Sequence, residues 1–364
     1  CGEKSPLHTR GIAPSSVPTI YTRIMSARAV NTTLLVLVSV QWLSGFGSFL
    51  AGAPTGRWAV WLHAAGGCAI AVLLIWKTRV IVRSLARHGV GLWAIPSLVL
   101  LLLLLTALVT GLLWSTVGLP ALLGSSGLTW HVGLSLLMLP LFAEHVWKMR
   151  PHPQPRDYLR RRLFLRRTAI VAGGVLLWRG VETTADVAAL PGADRRFTGS
   201  RDAGGSGADF PRTSWLFDDP APLDPAGWRL VVDGEVRTPL RLSLDDLPAR
   251  SSGEAVIDCT GGWYARRTWH GIHLASLLDD AGVKRSARSV VIRSATGYSR
   301  RFPVDVARTA LLARGVDRDP LGHGHGAPLR LVVPGHRGYD WVKWVTQVEV
   351  SPIPSWWNWP LPIR

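Results

Sequence analysis

The sequence predicts a two-part fold, in which an all-α transmembrane helix bundle is followed by an α+β domain. Composition is the first observation behind this prediction. Of 364 residues, 48% are hydrophobic and only 18% are charged, which excludes a disordered chain and disfavours a purely soluble protein. Arrangement is the second observation: the long apolar runs all lie before about residue 190, and shorter mixed strand and helix patterns follow them.

Four apolar runs in the first half are long enough to span a bilayer, which takes roughly 20 residues. These runs cover Asn31–Leu50, Trp58–Trp76, Leu92–Trp114 and Leu128–Trp147. Short connections join them, so neighbouring helices are expected to pack antiparallel as a four-helix bundle over residues 31–150.

Positive charges set the expected orientation of the bundle. Lys and Arg are frequent in the N-terminal tail (residues 1–30), after the second run and after the fourth run, whereas the two opposite connections contain only Arg57. The formal net charge of +17 therefore favours membrane flanks over a nucleic-acid surface. The basic connections are expected in the cytoplasm, which gives a multi-pass protein of the cell (inner) membrane.

A fifth, weaker apolar segment, Thr168–Val187, lies within residues 151–190. It is expected to cross the membrane with its charged residues at the outer interface, so that the chain after it is exported. The preceding Arg161-Arg162 run resembles a twin-arginine export signal, and an ordinary positive-inside anchor is the alternative. Both interpretations export the C-terminal half.

The three cysteines cannot form a disulfide framework. Cys68 lies in an apolar run and is expected to be a small core residue, and Cys1 lies in the N-terminal tail. Met25 is the expected start of the protein, with residues 1–24 an upstream extension. A lipoprotein terminus at Cys1 is the less favoured alternative.

Histidines inside the apolar runs indicate a haem. His63 in the second run and His131 in the fourth are expected at the same depth near the outer face, where two imidazoles suit the axial positions of an iron. Packing histidines are the alternative. His145 shares a face with His131 and is the candidate ligand of a second haem. The pattern resembles four-helix b-type cytochrome subunits, which implies haem b and a quinone as electron partner.

The second half reads as a flexible linker, residues 191–209, followed by one domain, residues 210–364. Strand and helix patterns mix without a regular βαβ rhythm, which is typical of the α+β class. The predicted elements are a hairpin turn at Asp233-Gly234, strands at Glu254–Ile257, Ser289–Arg293, Leu329–Val333 and Val345–Val350, and helices at Leu274–Ala281 and Val304–Ala313.

Cys259 follows a predicted strand and precedes two glycines, which let the backbone approach a ligand closely. Arg266 and Arg267 are close in sequence and are expected to favour its thiolate. Cys259 is therefore a candidate metal ligand or nucleophile, and a buried structural thiol is the alternative. Tyr298 follows another predicted strand and is a second catalytic candidate, with an ordinary surface loop as the alternative.

Four linked motifs contain Cys259 and extend through most of the domain. They are Cys259–Trp263, Trp269–Leu274, His325–Gly335 and Trp341–Val345. In this order they resemble the sulfite oxidase family of molybdopterin enzymes over about residues 210–352. The resemblance implies a molybdenum–molybdopterin cofactor, a small-molecule substrate and Cys259 as the molybdenum ligand. A soft thiolate is a suitable ligand for a metal in a sulfur-rich shell.

The resemblance also implies that His325, Arg330 and Lys343 lie along the pterin and its phosphate, and that Thr213 and Ser214 occupy the place of a further pterin-contacting segment. Thr260, next to Cys259, and His336 and Arg337, just after Pro334-Gly335, are further cofactor-binding candidates. Thr213 and Ser214 stand where members often carry Asn or His. Asp340 stands where eukaryotic sulfite oxidases carry an arginine, and a carboxylate there would repel sulfite. The chain is therefore more similar to membrane-coupled, sulfoxide-reductase-like bacterial members.

The expected function is a membrane-bound molybdopterin-dependent oxidoreductase. It would transfer an oxygen atom on a small substrate outside the cytoplasm and exchange electrons with the quinone pool through haem b. The alternative is a membrane b-type cytochrome that carries a non-catalytic exported pterin- or ligand-binding domain.

Overall fold

The computed structural model describes residues 25–89, 91–149, 161–214, 218–247 and 249–357. The predicted extension at residues 1–24, with Cys1, and most of the basic segment before Arg161 lie outside the described residues.

Five long helices form the N-terminal part of the described chain: α1 (Ala27–Leu50), α2 (Arg57–His88), α3 (Ile95–Ser115), α4 (Gly127–Met149) and α5 (Arg161–Val187). The first four are long and apolar enough to cross a membrane, as judged by length and composition. The predicted fifth segment is helical throughout, and it is not one of these four. Gly89 ends α2 with a φ of +70°, a backbone conformation that glycine adopts without strain.

The helices pack as one bundle. Contacts join α1 to α2, α3 to α4, and α5 to α2. Trp42 of α1 meets Phe142 of α4 edge-on, with 4.8 Å between ring centroids. Gly174 of α5 lies directly against Ala69 of α2, where a side chain on the glycine would collide. The apolar stripes of the helices therefore face one another, which leaves the outer faces of α2 and α3 rich in exposed leucine, isoleucine and valine.

The C-terminal part contains strands and short helices in mixed order. In chain order they are β1 (Arg201–Asp202), β2 (Leu230–Gly234), β3 (Leu240–Leu242), β4 (Ser251–Asp258), β5 (Trp263–His273), α6 (Leu274–Ala281), β6 (Ser289–Ser294), β7 (Ser299–Pro303), α7 (Val304–Thr309), β8 (Leu311–Val316), β9 (Asp319–Pro320), β10 (Arg330–Val332) and β11 (Val345–Ser351). This is the expected α+β class.

The strands form two sheets. One sheet has the order β1-β5-β8-β10, with β4 paired to β5 and β9 to β8, and the other has the order β3-β2-β11-β6-β7. The main apolar core includes Leu230, Leu278, Ile292 and Val348. A second core lies around Trp269 and Trp341, next to the end of β4. The loop that follows β4 is consequently held on packed strands.

Two predicted elements differ from the structure. The helix predicted over Val304–Ala313 ends at Thr309, because Leu311–Val316 pairs with β5 and buries its apolar side chains as β8. Asp233-Gly234 is not the hairpin turn. Both residues pair with β11, so β2 continues through them, and the chain turns after Gly234 before pairing again in β3.

Residues 191–209, predicted to be a flexible linker, are packed in part against the domain. Strand β1 pairs with β5. Thr198 and Ser200 are buried, and both hydroxyls donate to the carboxylate of Asp258. In the structure these short polar side chains provide hydrogen bonds to the buried charge of Asp258. In the sequence the same residue types are typical of a flexible linker.

Candidate active site

Cys259 lies in a tight loop between β4 and β5. Its N–H donates to the carbonyl of Trp263 at 2.8 Å, and the N–H of Gly261 points at its Sγ at 3.3 Å. Gly262 has a φ of +92°, which a residue with a side chain adopts only with strain. The loop thereby fixes the thiol at the end of a buried strand.

The Cys259 thiol opens into a pocket lined by the sequence-predicted residues Thr213, Ser214, Thr260, His325, Arg330 and Lys343, and by Phe210, Pro211, Ile257, Trp263, Gly338 and Tyr339. The polar members come from four separate parts of the chain. The structure thus brings together most of the residues expected around a molybdopterin.

Two cations line this pocket, Arg330 and Lys343. Arg330 is buried; its Nη1 donates to the carbonyl of His325 at 2.8 Å, and its Nε has no partner. Lys343 donates to the carbonyl of Gly324 at 2.7 Å and to Ser214 Oγ at 3.2 Å. Arg330 is a buried cation with an unpartnered Nε, and Lys343 is a half-buried cation whose burial the neighbouring Asp218 and Asp219 offset only in part, so the pocket suits an anionic group.

The pKa values of Arg330 and Lys343 show that burial outweighs the nearby negative groups. Burial, with a smaller contribution from nearby Arg330, lowers the pKa of Lys343 to about 7. Burial also lowers the pKa of Arg330 to about 10. A bound phosphate would reverse both shifts by favouring the charged forms. The donor set therefore fits the phosphate of a pterin cofactor, and the thiol of Cys259 fits a molybdenum ligand.

Arg337 does not line the pocket, which corrects its predicted role as a pterin contact. It is buried behind the loop, where Nη1 binds Asp258 Oδ1 and Nη2 lies 3.3 Å from the Cys259 carbonyl. Arg196 reaches the other oxygen of Asp258 at 3.1 Å. Because Asp258 is buried at the end of β4, it needs these counterions. Arg337 supports the Cys259 loop from behind.

His336 and Tyr298 also differ from prediction. His336 is outside the pocket, with Nδ1 3.1 Å from Asp340. Tyr298 is buried in the apolar core, and its hydroxyl donates to the carbonyl of Tyr339 at 2.5 Å. It is therefore a positioning residue for Tyr339. Asp340 itself is paired with Arg300 at 2.7 Å, which removes the reason for expecting it to repel an anionic substrate.

The cations near the Cys259 thiol are not the predicted ones. Arg266 pairs with exposed Glu254, and Arg267 donates to the carbonyls of Gly204 and Gly207. Burial raises the pKa of Cys259, against the opposing effects of the Gly261 N–H, Thr213 and Arg337. Burial thus disfavours the thiolate form of Cys259 in this pocket.

Tyr339 is one of the pocket residues that were not predicted from the sequence. It lies between two of the recognised motifs, directly after Gly338, and its position there was the available signal. Its ring stacks on that of Phe49 near the end of α1, with centroids 5.8 Å apart and planes 10° apart. The helix bundle therefore supports one wall of the pocket.

His63 of α2 lies against a turn of α1. Its Nδ1 is 3.1 Å from the carbonyl of Gln41 and 3.4 Å from Ser44 Oγ. Gly45 faces the imidazole so closely that a Cβ there would lie 3.1 Å from its Cε1 atom. These contacts hold the Nδ1 edge of the ring and leave Nε2 for another bond.

His131 of α4 has the same surroundings on α3. Its Nδ1 is 2.9 Å from the carbonyl of Ala107 and 3.3 Å from Thr110 Oγ1, and a Cβ on Gly111 would lie 3.0 Å from Cε1. In both sites the carbonyl comes from four residues before the glycine and the hydroxyl from one residue before it. The two imidazoles approach each other, with 6.0 Å between ring centroids.

His145 is not part of this pair. Its Nδ1 contacts Ser97 Oγ near the start of α3, at 3.2 Å. The structure thus brings His63 and His131 together, as predicted from their depth, and leaves His145 nearer the opposite end of the bundle.

Comparisons with known proteins identify the C-terminal domain. The family of the oxidoreductase molybdopterin binding domain matches residues 218–359. The uncharacterized oxidoreductase YuiH of Bacillus subtilis (strain 168) is 32% identical over 148 residues, 39% of this chain and 75% of the relative. The catalytic subunit MsrP, a protein-methionine-sulfoxide reductase of Gluconobacter oxydans (strain 621H), is 28% identical over 246 residues, 57% of this chain and 77% of the relative.

Among solved structures, the sulfane dehydrogenase SoxCD from Paracoccus pantotrophus is 27% identical, with a TM-score of 0.35 over 36% of this chain and 40% of that one. The family match includes Cys259 and most of the residues that line its pocket, and the match to the Bacillus subtilis relative covers 75% of that relative. The chain belongs to the oxidoreductase molybdopterin-binding domain family, within the sulfite oxidase family, and its C-terminal domain is a molybdopterin-dependent oxidoreductase.

Proposed function

We propose that the protein is a membrane-bound enzyme that moves an oxygen atom between a small substrate and water outside the cytoplasm. In the reducing direction, the substrate takes up two electrons and two protons, and its oxygen atom leaves as water. A membrane quinol supplies the two electrons and two protons and becomes the quinone. The pocket at Cys259 carries this proposal, because it combines a fixed thiol with two cations, of which Arg330 is buried with an unpartnered Nε.

Within this pocket the chain's residues have separate tasks. Cys259 would bind molybdenum through Sγ, while Arg330 and Lys343 would bind the pterin phosphate. Thr213 and Ser214 are exposed residues of the pocket lining, and their hydroxyls, which accept hydrogen bonds from Trp263 and Lys343, could still donate to a polar substrate or to the pterin. The cofactor, when bound, supplies a metal that changes oxidation level by two electrons as oxygen is transferred.

We propose that His63 and His131 hold one haem b. Two observations support this: the 6.0 Å separation of their rings, and the use of Nδ1 by a backbone carbonyl in both. Haem ligands are commonly oriented in this way by a second hydrogen bond, which leaves the other nitrogen for iron. His145 has Ser97 as its neighbour, and hydroxyl side chains are poor haem ligands, so the proposal contains one haem.

The proposed membrane orientation rests on where charges and contacts lie. Phe49, Trp114 and Ser126, which contact the C-terminal domain, all lie at one end of the bundle. The basic residues Lys77, Arg79, Arg83 and Arg87 lie towards the other end of α2. The positive-inside rule then favours a cytoplasmic basic end and an exported domain.

A sulfoxide is the proposed substrate class, because the relative of Gluconobacter oxydans is a protein-methionine-sulfoxide reductase and matches over 246 residues. The paired state of Asp340 leaves sulfite as the second candidate. Both substrates present an oxygen on sulfur, so they differ mainly in charge and in the direction of reaction.

Two measurements test this proposal. Alkaline phosphatase fused after residue 200 is expected to be active, whereas a fusion after Gly89 is expected to be inactive; the reverse pattern contradicts the orientation. Membranes containing the protein are then given a quinol and methionine sulfoxide. Quinol oxidation should depend on the sulfoxide and be lost in His63→Ala, and unchanged oxidation in that variant contradicts the haem route.

A further inference from the structure

Trp114, near the end of α3, is buried between the helix bundle and the C-terminal domain. It is 7% exposed. Its Nε1 donates to the carbonyl of Gly199 at 2.9 Å, and the guanidinium of Arg201 lies 4.8 Å from its ring centroid. Arg201 also donates to the backbone carbonyl of Trp114. The indole is therefore fixed in one orientation at this interface.

The indole ring contacts the loop that carries Cys259. A Cβ built on Gly262 would lie 2.8 Å from Cζ2 of Trp114, so only a glycine lets the loop approach the ring this closely. The neighbouring carbonyl of Gly261 accepts a hydrogen bond from Ser126, just before α4. The loop with the metal-binding thiol thus sits directly on the ends of two bundle helices.

The part of α3 that directly precedes Trp114 contacts His131. Gly111 precedes Trp114 by one turn and lies against the imidazole, and the carbonyl of Ala107 binds its Nδ1. One α-helical turn rises about 5.4 Å. The helix segment 107–114 therefore touches the Cys259 loop at one end and the proposed haem ligand at the other.

We propose that Trp114 is the bridge by which electrons cross between the Cys259 loop and His131. This inference rests on the proposed function, since it needs both the molybdenum and the haem. Each crossing oxidises one centre by one electron and reduces the other by one electron. Two crossings match the two electrons of one oxygen-atom transfer.

A second contact offers a competing route. Phe49 stacks on Tyr339, and Gly45, one turn earlier on α1, faces His63. This route reaches Tyr339, whose neighbour Gly338 lies against the Cys259 backbone, where a Cβ on Gly338 would be 3.3 Å from the Cys259 Cα, whereas the Trp114 route reaches the loop at Gly262. The Trp114 route differs in that a buried, hydrogen-bonded aromatic ring contacts the Cys259 loop itself, whereas Phe49 reaches the loop through Tyr339.

The test compares Trp114→Leu, Trp114→Phe and Phe49→Leu in the full chain loaded with both cofactors. Trp130→Leu is the matched control, because its Nε1 binds a carbonyl of the same helix connection, that of Leu122. Haem absorbance and molybdenum content are measured first. If the parent lacks haem, the proposed function has failed; if both cofactors are present, only the bridge is being tested.

Haem reoxidation by methionine sulfoxide is then followed by stopped-flow absorbance, and sulfoxide reduction by reduced methyl viologen is measured in parallel. The ratio of the haem reoxidation rate to the viologen-dependent rate is expected to fall about tenfold in Trp114→Leu, equivalent to about 1.4 kcal/mol of barrier. In Trp114→Phe and Trp130→Leu the same ratio is expected to remain within about threefold of that of the parent. An unchanged ratio in Trp114→Leu, or a fall only in Phe49→Leu, overturns the inference.

A second readout does not depend on turnover. In protein prepared without cofactors, amide hydrogen exchange in residues 259–263 is expected to rise in Trp114→Leu, because the indole no longer covers Gly262. Trp130→Leu should leave this exchange unchanged. Exchange that stays at the parent level in Trp114→Leu means that the contact is absent in solution, which also overturns the inference.

Discussion

Arg337 and Asp258 form a buried ion pair directly behind the Cys259 loop, with Nη1 against Oδ1 and both side chains 2% exposed. Arg337 comes from the loop after β10, and Asp258 ends β4. The pair therefore fixes the metal-binding loop to a distant part of the domain. Thr198 and Ser200 bind the same carboxylate, so the segment between α5 and the domain is held there as well.

Asp258→Asn is expected to destabilise the C-terminal domain by about 3–5 kcal/mol, because it leaves a buried arginine without its counterion. Thermal unfolding of the purified protein measures the change. Asp279→Asn is the matched control, since Asp279 pairs with Arg308 at the surface and should contribute only about 0–1 kcal/mol. Equal shifts in the two variants would contradict a structural role for the buried pair.

Cofactor retention is expected to fall as pH rises from about 6 to 9, because Lys343 has a pKa of about 7 in the cofactor-free pocket. Below this value the ammonium is present for the phosphate, and above it binding must take up a proton. The opposite sign holds without cofactor: between pH 7 and the ordinary lysine pKa, the free energy of unfolding should rise. Release of fluorescent pterin at each pH measures retention.

Lys343→Arg is the control for this pH dependence. An arginine stays protonated over the whole range, so pterin release from this variant should vary little between pH 6 and 9. If the variant and the parent lose pterin with the same pH profile, another group controls retention and the assignment of Lys343 is wrong.

Tyr298→Phe is expected to keep activity within about threefold of the parent and to lose about 1 kcal/mol of stability, the usual net contribution of one hydrogen bond. The reason is that the Tyr298 hydroxyl binds the Tyr339 carbonyl and does not line the pocket. Steady-state kinetics and thermal unfolding provide the measurements. A hundredfold loss of kcat with unchanged KM would restore Tyr298 as a catalytic residue.

Haem is expected to be lost in His63→Ala and in His131→Ala, and to be kept in His145→Ala. The first two side chains face each other and have their Nδ1 atoms bound by carbonyls, whereas the Nδ1 atom of His145 contacts Ser97 Oγ. The absorbance of the purified variants, compared per chain, measures this. Loss of haem in His145→Ala with retention in His131→Ala would reverse the assignment.

Much of the active site could be predicted because its residues belong to short motifs in a fixed order. Cys259, His325, Arg330 and Lys343 line one pocket as expected. Arg337 was misjudged, because a basic residue after a Pro-Gly turn looks like an anion donor in sequence. The structure shows instead that Arg337 is the buried ion-pair partner of Asp258, which is distant in sequence.

The fold was predictable where one physical pattern dominates. Hydropathy alone gave the helices α1 to α4. In contrast, the apolar pattern of residues 304–313 is compatible with a helix or with a strand. The chain is a strand from Leu311 onwards because these residues pair with β5. The burial of Thr198 and Ser200 also depends on a distant partner, because their hydroxyls donate to the buried carboxylate of Asp258. Such tertiary partners leave no periodic signal in the sequence.

Whether Cys259 holds molybdenum in a pterin cofactor is measured by the metal content of the purified protein. The full chain is purified in detergent from a host that makes the cofactor, together with Cys259→Ser and the matched control Cys68→Ser. We predict about one molybdenum per chain in the parent and in Cys68→Ser, with sulfoxide reduction lost only in Cys259→Ser. A folded parent without molybdenum, or full activity in Cys259→Ser, would contradict the assignment of Cys259 as the molybdenum ligand of a pterin cofactor.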